Sequence, residues 1–253
     1  MGIFNIFGKK QKKPSGLTDI QKQILEEYKT ATAMPCYVVE VTDGEPTSTD
    51  SSIGGSPYLP KGATLPMDKT LFAQLNLEGT NLDGLPNKGI FQVFLGEMDY
   101  PQPHEIRYYE TVSNDVQSTE LQESDWVSAP LKLKMSQGTS YMGTYPQGDE
   151  ILLPIYNKYM NTNLDQMDEL PHDYEQIAEE IQNIIPHANF GGHGDTTQAE
   201  EFDYDKNTVL LKINNYLHDD ICIGDMGILW VQIDKNDLKK GDITKATVGW
   251  DCG

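Results

Sequence analysis

A pattern that recurs at a nearly constant spacing constrains the fold of this chain more than any other feature of its sequence. The segment 72–76 aligns with 210–214 at an offset of 138 residues, and 89–95 aligns with 227–233 at the same offset. A Gly-Gly pair precedes each match, and these two pairs are 137 residues apart. Because similar segments at a fixed spacing are the signature of an internal repeat, the sequence predicts two similar halves.

Most of the repeated segments have the composition of β-strands, and helices are few. A capping pair, Thr18 with Gln21, predicts a helix that starts near residue 18, and a second helix is predicted over 173–185, where Pro186 ends it. Apolar runs and alternation predict strands at 36–41, 71–77, 90–95, 106–112, 131–135, 209–213, 227–233 and 243–250. We therefore predict an α+β fold in which an internal duplication gives two similar antiparallel-sheet-bearing halves.

The domain organisation follows from a shift in charge near the start of the chain. The first thirteen residues hold four lysines and no acidic residue. We predict a flexible basic tail over residues 1–16 and a single domain over 17–253, with pseudo-repeats at about 36–135 and 171–253. The apolar part of the tail precedes its lysines and is too short for a signal peptide.

The net charge narrows the class of partner. The chain has 19 basic and 39 acidic residues, which gives a formal net charge of −20, and its one arginine is Arg107. Nucleic-acid binding needs a cationic surface, so we predict that the protein does not bind DNA or RNA. No apolar stretch is long enough to span a bilayer, which makes a membrane partner unlikely. The acidity either keeps the protein soluble or attracts a basic protein partner.

The cysteines indicate the cellular compartment. Cys36, Cys222 and Cys252 are far apart and form no CxxC pair, so we predict reduced thiols and a cytoplasmic location. No set of residues has the spacing of a metal site, and no phosphate-binding or dinucleotide-binding motif is present. We therefore predict no metal and no cofactor.

Two glycine-rich loops are the main candidates for ligand binding. The first, 54–60, reads GGSPYLP, and its counterpart, 191–198, reads GGHGDTTQ. Glycine allows the bare backbone to approach a ligand, although each loop could instead be a shaped turn. If the loops are related by a pseudo-twofold axis, they lie near one shared cleft. The candidate ligand-binding residues are then Gly54, Gly55, Gln74, Gly191, Gly192 and Gln198.

The candidates for catalysis are weaker. His193 and Asp195, two residues apart on the second loop, could act as an acid–base pair. Asp225, in the turn GDMG, and Cys252, in the final WDCG, could assist them. None of these residues lies in a motif with standard catalytic spacing, so whether the protein is an enzyme stays open, with a non-enzyme favoured.

The motifs resemble those of the YwqG-like family of bacterial proteins, which carry a domain of unknown function. The resemblance covers residues 17–253 and rests on GGSPYLP, the strand FAQLN, the second Gly-Gly loop with Gln198, the GDMG turn and the WDC ending. The chain departs from the family at Ile223, where an aromatic residue is usual, and at Ala199-Glu200, where Asp-Pro often follows the glutamine. The resemblance implies an α+β fold with a duplicated core, and it supplies no reaction.

Two functions of different classes remain. The first is a non-catalytic binding or accessory protein, with an immunity-like role as its specific form, that holds a basic partner in an acidic groove. The second is a hydrolase-like enzyme that uses the His193 and Asp195 loop. Convergence of the four catalytic candidates in space would favour the enzyme.

Overall fold

A computed structural model gives the fold and describes residues 16–99, 101–119, 123–165, 169–196 and 203–252. Nearly all of the predicted basic tail therefore lies outside the described residues. The helices of the described part are α1 (Asp19–Thr32), α2 (Asp149–Met160), α3 (His172–Ile184) and the short α4 (Lys235–Lys239). The Thr18 hydroxyl accepts from the Gln21 amide and the Gln21 side chain accepts from the Thr18 amide, so the capping box is confirmed. None of these helices is long and apolar enough to cross a bilayer.

The strands lie close to their predicted positions, but their lengths differ from the prediction. They are β1 (Met34–Thr42), β2 (Ser52–Ile53), β3 (Thr70–Asn76), β4 (Ile90–Leu95), β5 (His104–Tyr109), β6 (Leu131–Ser140), β7 (Ala188–Phe190), β8 (Asn207–Asn214), β9 (Ile228–Asp234) and β10 (Thr247–Asp251). The strand predicted over 243–250 begins instead with a short 3₁₀ turn, Ile243–Lys245. The short strands β2 and β7 and the helix α2 had no predicted counterpart.

The described strands form one ten-stranded antiparallel sheet rather than a separate sheet in each half. Its order is β10-β9-β8-β7-β1-β6-β2-β3-β4-β5. At the centre β1 pairs with β6 along its whole length, and β1 also joins β7 of the later half. The edge strands β5 and β10 approach each other, so the sheet is nearly closed. The prediction of separate sheet-bearing halves is corrected, because β1 pairs with both β6 and β7 and so joins the earlier and later strands into one sheet.

The repeated segments occupy matching places in this sheet. Counted from one edge, β4 and β3 are second and third, and counted from the other edge β9 and β8 are second and third. The register of each pair shifts at one point, between Leu71 and Ala73 and between Val209 and Leu211, which is again an offset of 138. This is the placement that a duplication requires, although the duplication itself stays a prediction.

Two large apolar cores and one small cluster, of Val209, Ile228 and Trp230, lie in the described part of the protein. The largest core lies on one face of the sheet and takes side chains from most of its strands, including Phe72, Phe91, Phe190 and Leu229. The other large core lies among α1, α2 and α3, where Tyr28, Tyr156 and Ile177 are buried. The Tyr28 hydroxyl donates to the Met142 carbonyl just after β6, at 2.9 Å, so the helical layer is attached to the outer face of the sheet near the end of β6.

Candidate functional site

We call β2–β5 and β7–β10 the two arms of the sheet. The two Gly-Gly loops make equivalent backbone hydrogen bonds in these arms. Gly54 has φ +64° and Gly191 has φ +70°, a region that favours glycine. The Gly54 amide donates to the Phe72 carbonyl at 2.8 Å, and the Gly191 amide donates to the Leu210 carbonyl at 3.0 Å. In each arm, the first glycine after the short strand therefore donates an equivalent hydrogen bond to the neighbouring strand.

The loops nevertheless do not share one cleft. A Cβ placed on Gly54 would lie 3.8 Å from Pro130 Cα, just before β6, whereas a Cβ on Gly192 would overlap the hydroxyl of Ser140, the last residue of β6. The ten residues of β6, at about 3.3 Å each, put these two points roughly 30 Å apart. The expected cleft between the loops is therefore wrong, and each loop has its own surroundings.

A surface pocket of about 550 Å³ lies at the Gly54-Gly55 loop. It is bounded by the start of β3, the end of β4 and the segment 123–130 that leads into β6. We call it the acidic pocket, because four acidic residues and one lysine are among the residues that line it: Asp68, Glu97, Glu123, Asp125 and Lys69. The sequence predicted Gly54 and Gly55 as candidates here and missed the four acids.

The carboxylates of the acidic pocket are available to a ligand. All four are exposed. Within the described part of the chain, none of them takes part in an ion pair or a side-chain hydrogen bond, whereas acids elsewhere, such as Glu27 and Asp237, pair with lysines. Carboxylates that face one cavity without cationic partners repel each other, and a positive ligand relieves that repulsion.

The inner wall of the acidic pocket is rigid. Trp126 is 1% exposed, and its indole N–H donates to the Gly96 carbonyl at 2.8 Å. Its ring packs edge-on against Phe72 and Trp250, at centroid distances of 6.0 and 5.8 Å. The Trp250 indole in turn lies 3.1 Å from Gln102 Oε1, so the pocket rests on the contact that joins the two edges of the sheet.

Gln74 has its amide fully occupied inside the protein. Its Oε1 accepts from the Tyr58 amide at 2.8 Å and from Gln92 Nε2 at 2.7 Å. Its Nε2 donates to the carbonyls of Ser48 and Asp50, at 3.0 and 2.8 Å. The side chain therefore fixes the GGSPYLP loop onto the sheet and has no bond left for a ligand.

The second loop places its polar residues beneath the helical layer. His193 is 5% exposed and its Nε2 lies 2.7 Å from the Thr32 carbonyl, so this nitrogen carries the proton. Burial lowers the pKa of His193, which keeps the ring neutral, and burial raises the pKa of the Asp195 carboxyl. Gln198 lies outside the described residues.

The other two catalytic candidates are at the end of the sheet. Asp225 is exposed on the GDMG turn, and Cys252 follows β10, where it packs against Gly224 of the same turn. None of the three cysteines forms a disulfide within the described part of the chain, and Cys36 is the buried one. That the thiols are reduced stays a prediction. In the described ranges no three His, Cys, Asp or Glu side chains are placed to hold a metal ion.

Sequence reasoning missed a group of residues around His193. Lys212, on β8, is 2% exposed and interacts electrostatically with Asp195 and with Cys36 on β1. Asn189, on β7, pairs in register with Lys212. We call Cys36, Asn189, His193, Asp195 and Lys212 the buried polar cluster. The repeat offset of 138 places Lys212 at the position of Gln74, and this was the signal that could have identified it.

Comparison with known proteins gives one match. A family model described as a domain of unknown function, DUF1963, matches residues 51–252. The match includes both Gly-Gly loops, the acidic pocket and every strand of the sheet except β1. No curated protein matches the chain.

Proposed function

The chain belongs to the DUF1963 family, a domain of unknown function, and on that premise we propose that it is a binding protein for a cationic segment of a partner protein. The observation that carries the proposal is the set of four unpaired carboxylates around one pocket of about 550 Å³. A cavity of this size accommodates one or two side chains of a partner segment. The lysine and arginine side chains of such a segment supply the charge that the pocket lacks.

The charge of the whole protein supports the same class of partner. A net charge of −20 gives a long-range attraction for basic proteins, which raises their association rate at low salt. An exposed ion pair contributes only about 0.2–1 kcal/mol, so affinity requires several pairs made together. The acidic pocket offers four such pairs around a rigid wall, which makes simultaneous contact feasible.

The finer identity of the protein is part of the proposal. The motifs that resemble the bacterial YwqG-like family, and the matching places of β3–β4 and β8–β9, support a duplicated YwqG-like domain. An immunity-like role is the form of binding that we favour, because a basic toxin would fit an acidic pocket. A cytoplasmic location is supported by the small number and wide spacing of the three cysteines.

The hydrolase-like alternative has less support. The His193 ring is buried and its Nε2 is held by the Thr32 carbonyl, so only one nitrogen is left to act as a base. Asp225, by contrast, is exposed on a turn at the end of the sheet. A hydrolytic site needs its base and nucleophile within hydrogen-bond reach of one substrate, and an accessible cavity is found instead at the acidic pocket.

Neutralising the acidic pocket should weaken the binding of a cationic probe. We expect the variant Asp68→Asn/Glu97→Gln/Glu123→Gln/Asp125→Asn to bind an oligolysine peptide roughly tenfold or more weakly at low salt, since four exposed pairs are lost. Fluorescence anisotropy with a labelled peptide measures the dissociation constants. The dependence of affinity on salt should also become shallower.

A matched control separates local contacts from net charge. The variant Glu78→Gln/Asp83→Asn/Glu179→Gln/Asp205→Asn removes the same number of negative charges from exposed positions that do not line the pocket. We expect this control to change the affinity only slightly. Equal losses in the two variants would show that the peptide senses net charge alone, and the pocket would then not be its site.

A further inference from the structure

The buried polar cluster lies on the face of the sheet that is turned away from the larger core. Leu211 and Ile213 of β8 belong to that core, so Lys212 between them points to the opposite face, beneath the helical layer. Asn189 stands directly across from Lys212 on β7 and is fully buried. Asn189 Nδ2 donates to the carbonyl of His193 at 3.1 Å, so Asn189 adjoins both Lys212 and His193.

Two hydrogen-bonding atoms of the buried polar cluster have no partner. Asn189 Nδ2 donates to the carbonyls of Gly191 and His193, which fixes the orientation of the amide and leaves its Oδ1 unpartnered. His193 Nε2 is used by the Thr32 carbonyl, and its Nδ1 is unpartnered. The Lys212 side chain beside them is 2% exposed and interacts electrostatically with Asp195 and Cys36. Two buried acceptors next to a buried lysine are therefore without a partner.

Buried hydrogen-bonding groups without partners are unfavourable unless a bound molecule forms hydrogen bonds with them. A buried donor or acceptor without a partner destabilises a protein by about 1–3 kcal/mol, and native structures retain few of them. Burying an ammonium is more unfavourable still, and burial lowers the pKa of Lys212 although the Asp195 carboxyl opposes this shift. A polar molecule bound beside Lys212 would satisfy the two free acceptors.

The other arm of the sheet shows what the fold accepts at the same position. Gln74 lies at the repeat offset from Lys212, and its carboxamide makes four hydrogen bonds there. The fold is therefore satisfied by a neutral carboxamide and does not need a charge at this position. In the other arm the equivalent residue is Lys212, so the chain supplies no carboxamide at this position.

We propose that the buried polar cluster binds a small neutral molecule of the primary amide class. The carbonyl oxygen of such a molecule accepts from Lys212, and its two N–H groups donate to Asn189 Oδ1 and His193 Nδ1. An anion would face the Asp195 carboxyl, and a cation would face Lys212, so a neutral molecule with both kinds of group fits best. Asp195 is partly exposed, so the cluster reaches solvent at that residue.

Saturation-transfer NMR with acetamide tests this proposal on the full-length protein. We expect acetamide to bind the native protein, and to bind Lys212→Met roughly 10- to 100-fold more weakly, because a hydrogen bond from a charged group is lost. Lys134→Met removes an exposed lysine of β6 and should leave acetamide binding unchanged. Acetone, which has the carbonyl but no N–H, and acetate, which is an anion, should both bind at least about tenfold more weakly than acetamide.

A second variant checks the same idea without removing polarity. Lys212→Gln introduces the side chain found at Gln74, and its own carboxamide should fill the site and prevent acetamide binding. The proposal is overturned if the native protein does not bind acetamide, if Lys212→Met and Lys212→Gln bind it as well as the native protein does, or if acetone binds equally well. None of these results bears on the acidic pocket, which is tested separately.

Discussion

Gly89→Ala is expected to destabilise the protein by about 2–5 kcal/mol. Gly89 has φ +81°, which is unfavourable for alanine, and an added Cβ would overlap the Tyr109 carbonyl oxygen and lie 2.8 Å from Glu110 Cα. Both contacts are with the backbone of the neighbouring chain segment, so no side-chain rotation relieves them, and overpacking adds to the backbone strain. Urea denaturation of the native and variant proteins gives the free energy of unfolding.

Gly79→Ala is the matched control for this prediction. Gly79 has nearly the same φ, +83°, and an added Cβ would meet no atom within 4 Å. It should therefore show the backbone effect alone, about 1 kcal/mol. If the two variants were equally stable, the close approach of Gly89 to the end of β5 would be refuted.

Lys212→Met is expected to stabilise the protein at neutral pH, by about 1–3 kcal/mol, because an apolar chain of similar length replaces an ammonium whose burial outweighs its attraction to Asp195. The pH dependence has a defined sign. The pKa of Lys212 is lower in the folded than in the unfolded protein, so the unfolded chain binds more protons between those two values. The native protein therefore gains stability as the pH rises toward about 10, and the advantage of the variant shrinks over the same range.

Two further variants make this prediction specific. Lys134→Met should change the stability by no more than about 0.5 kcal/mol, because that lysine is exposed. The double variant Lys212→Met/Asp195→Asn removes both charges of the buried polar cluster and should keep the gain. A loss of stability in Lys212→Met at neutral pH would mean that the ammonium is well paired in the folded protein, and the inferred amide site would lose its main support.

The parts of the fold that could be predicted are those determined by local sequence. The helix α1 begins at the capping box of Thr18, and the strands β3, β4, β8 and β9 coincide with the repeated segments. The helix α2 was missed because Pro154 lies inside it, where proline normally interrupts a helix. Strands as short as β2 and β7 leave no periodic signal.

The arrangement of the strands could not be read from the sequence, because strand partners are chosen by long-range packing. The pairing of β1 with β6 and β7 joins the earlier and later strands into one sheet, and no local pattern encodes it. The acidic pocket is a similar case. Asp68, Glu97 and the segment 123–130 are far apart in the sequence and meet only because the start of β3, the end of β4 and the start of β6 lie on the same side of the sheet.

The motifs around the two glycine loops could not show which of their residues are available to a ligand. Gly54 and Gly55 line the acidic pocket, and their role in binding a ligand stays a prediction. The pattern also suggested that Gln74 contacts a ligand, whereas that side chain holds the loop to the sheet. A polar residue that is conspicuous in a sequence can be occupied entirely by the chain's own backbone, and only the hydrogen-bond partners reveal this.

Zero-length cross-linking shows where a cationic segment binds this protein. A carbodiimide joins lysine amines of an oligolysine peptide to the carboxylates that they contact, and mass spectrometry identifies the joined residues. The acidic pocket predicts that the earliest cross-links are at Asp68, Glu97, Glu123 and Asp125, and that excess unlabelled peptide or high salt suppresses them. Cross-links spread evenly over the exposed acids, or concentrated on α1 and α3, would contradict a binding site at the pocket.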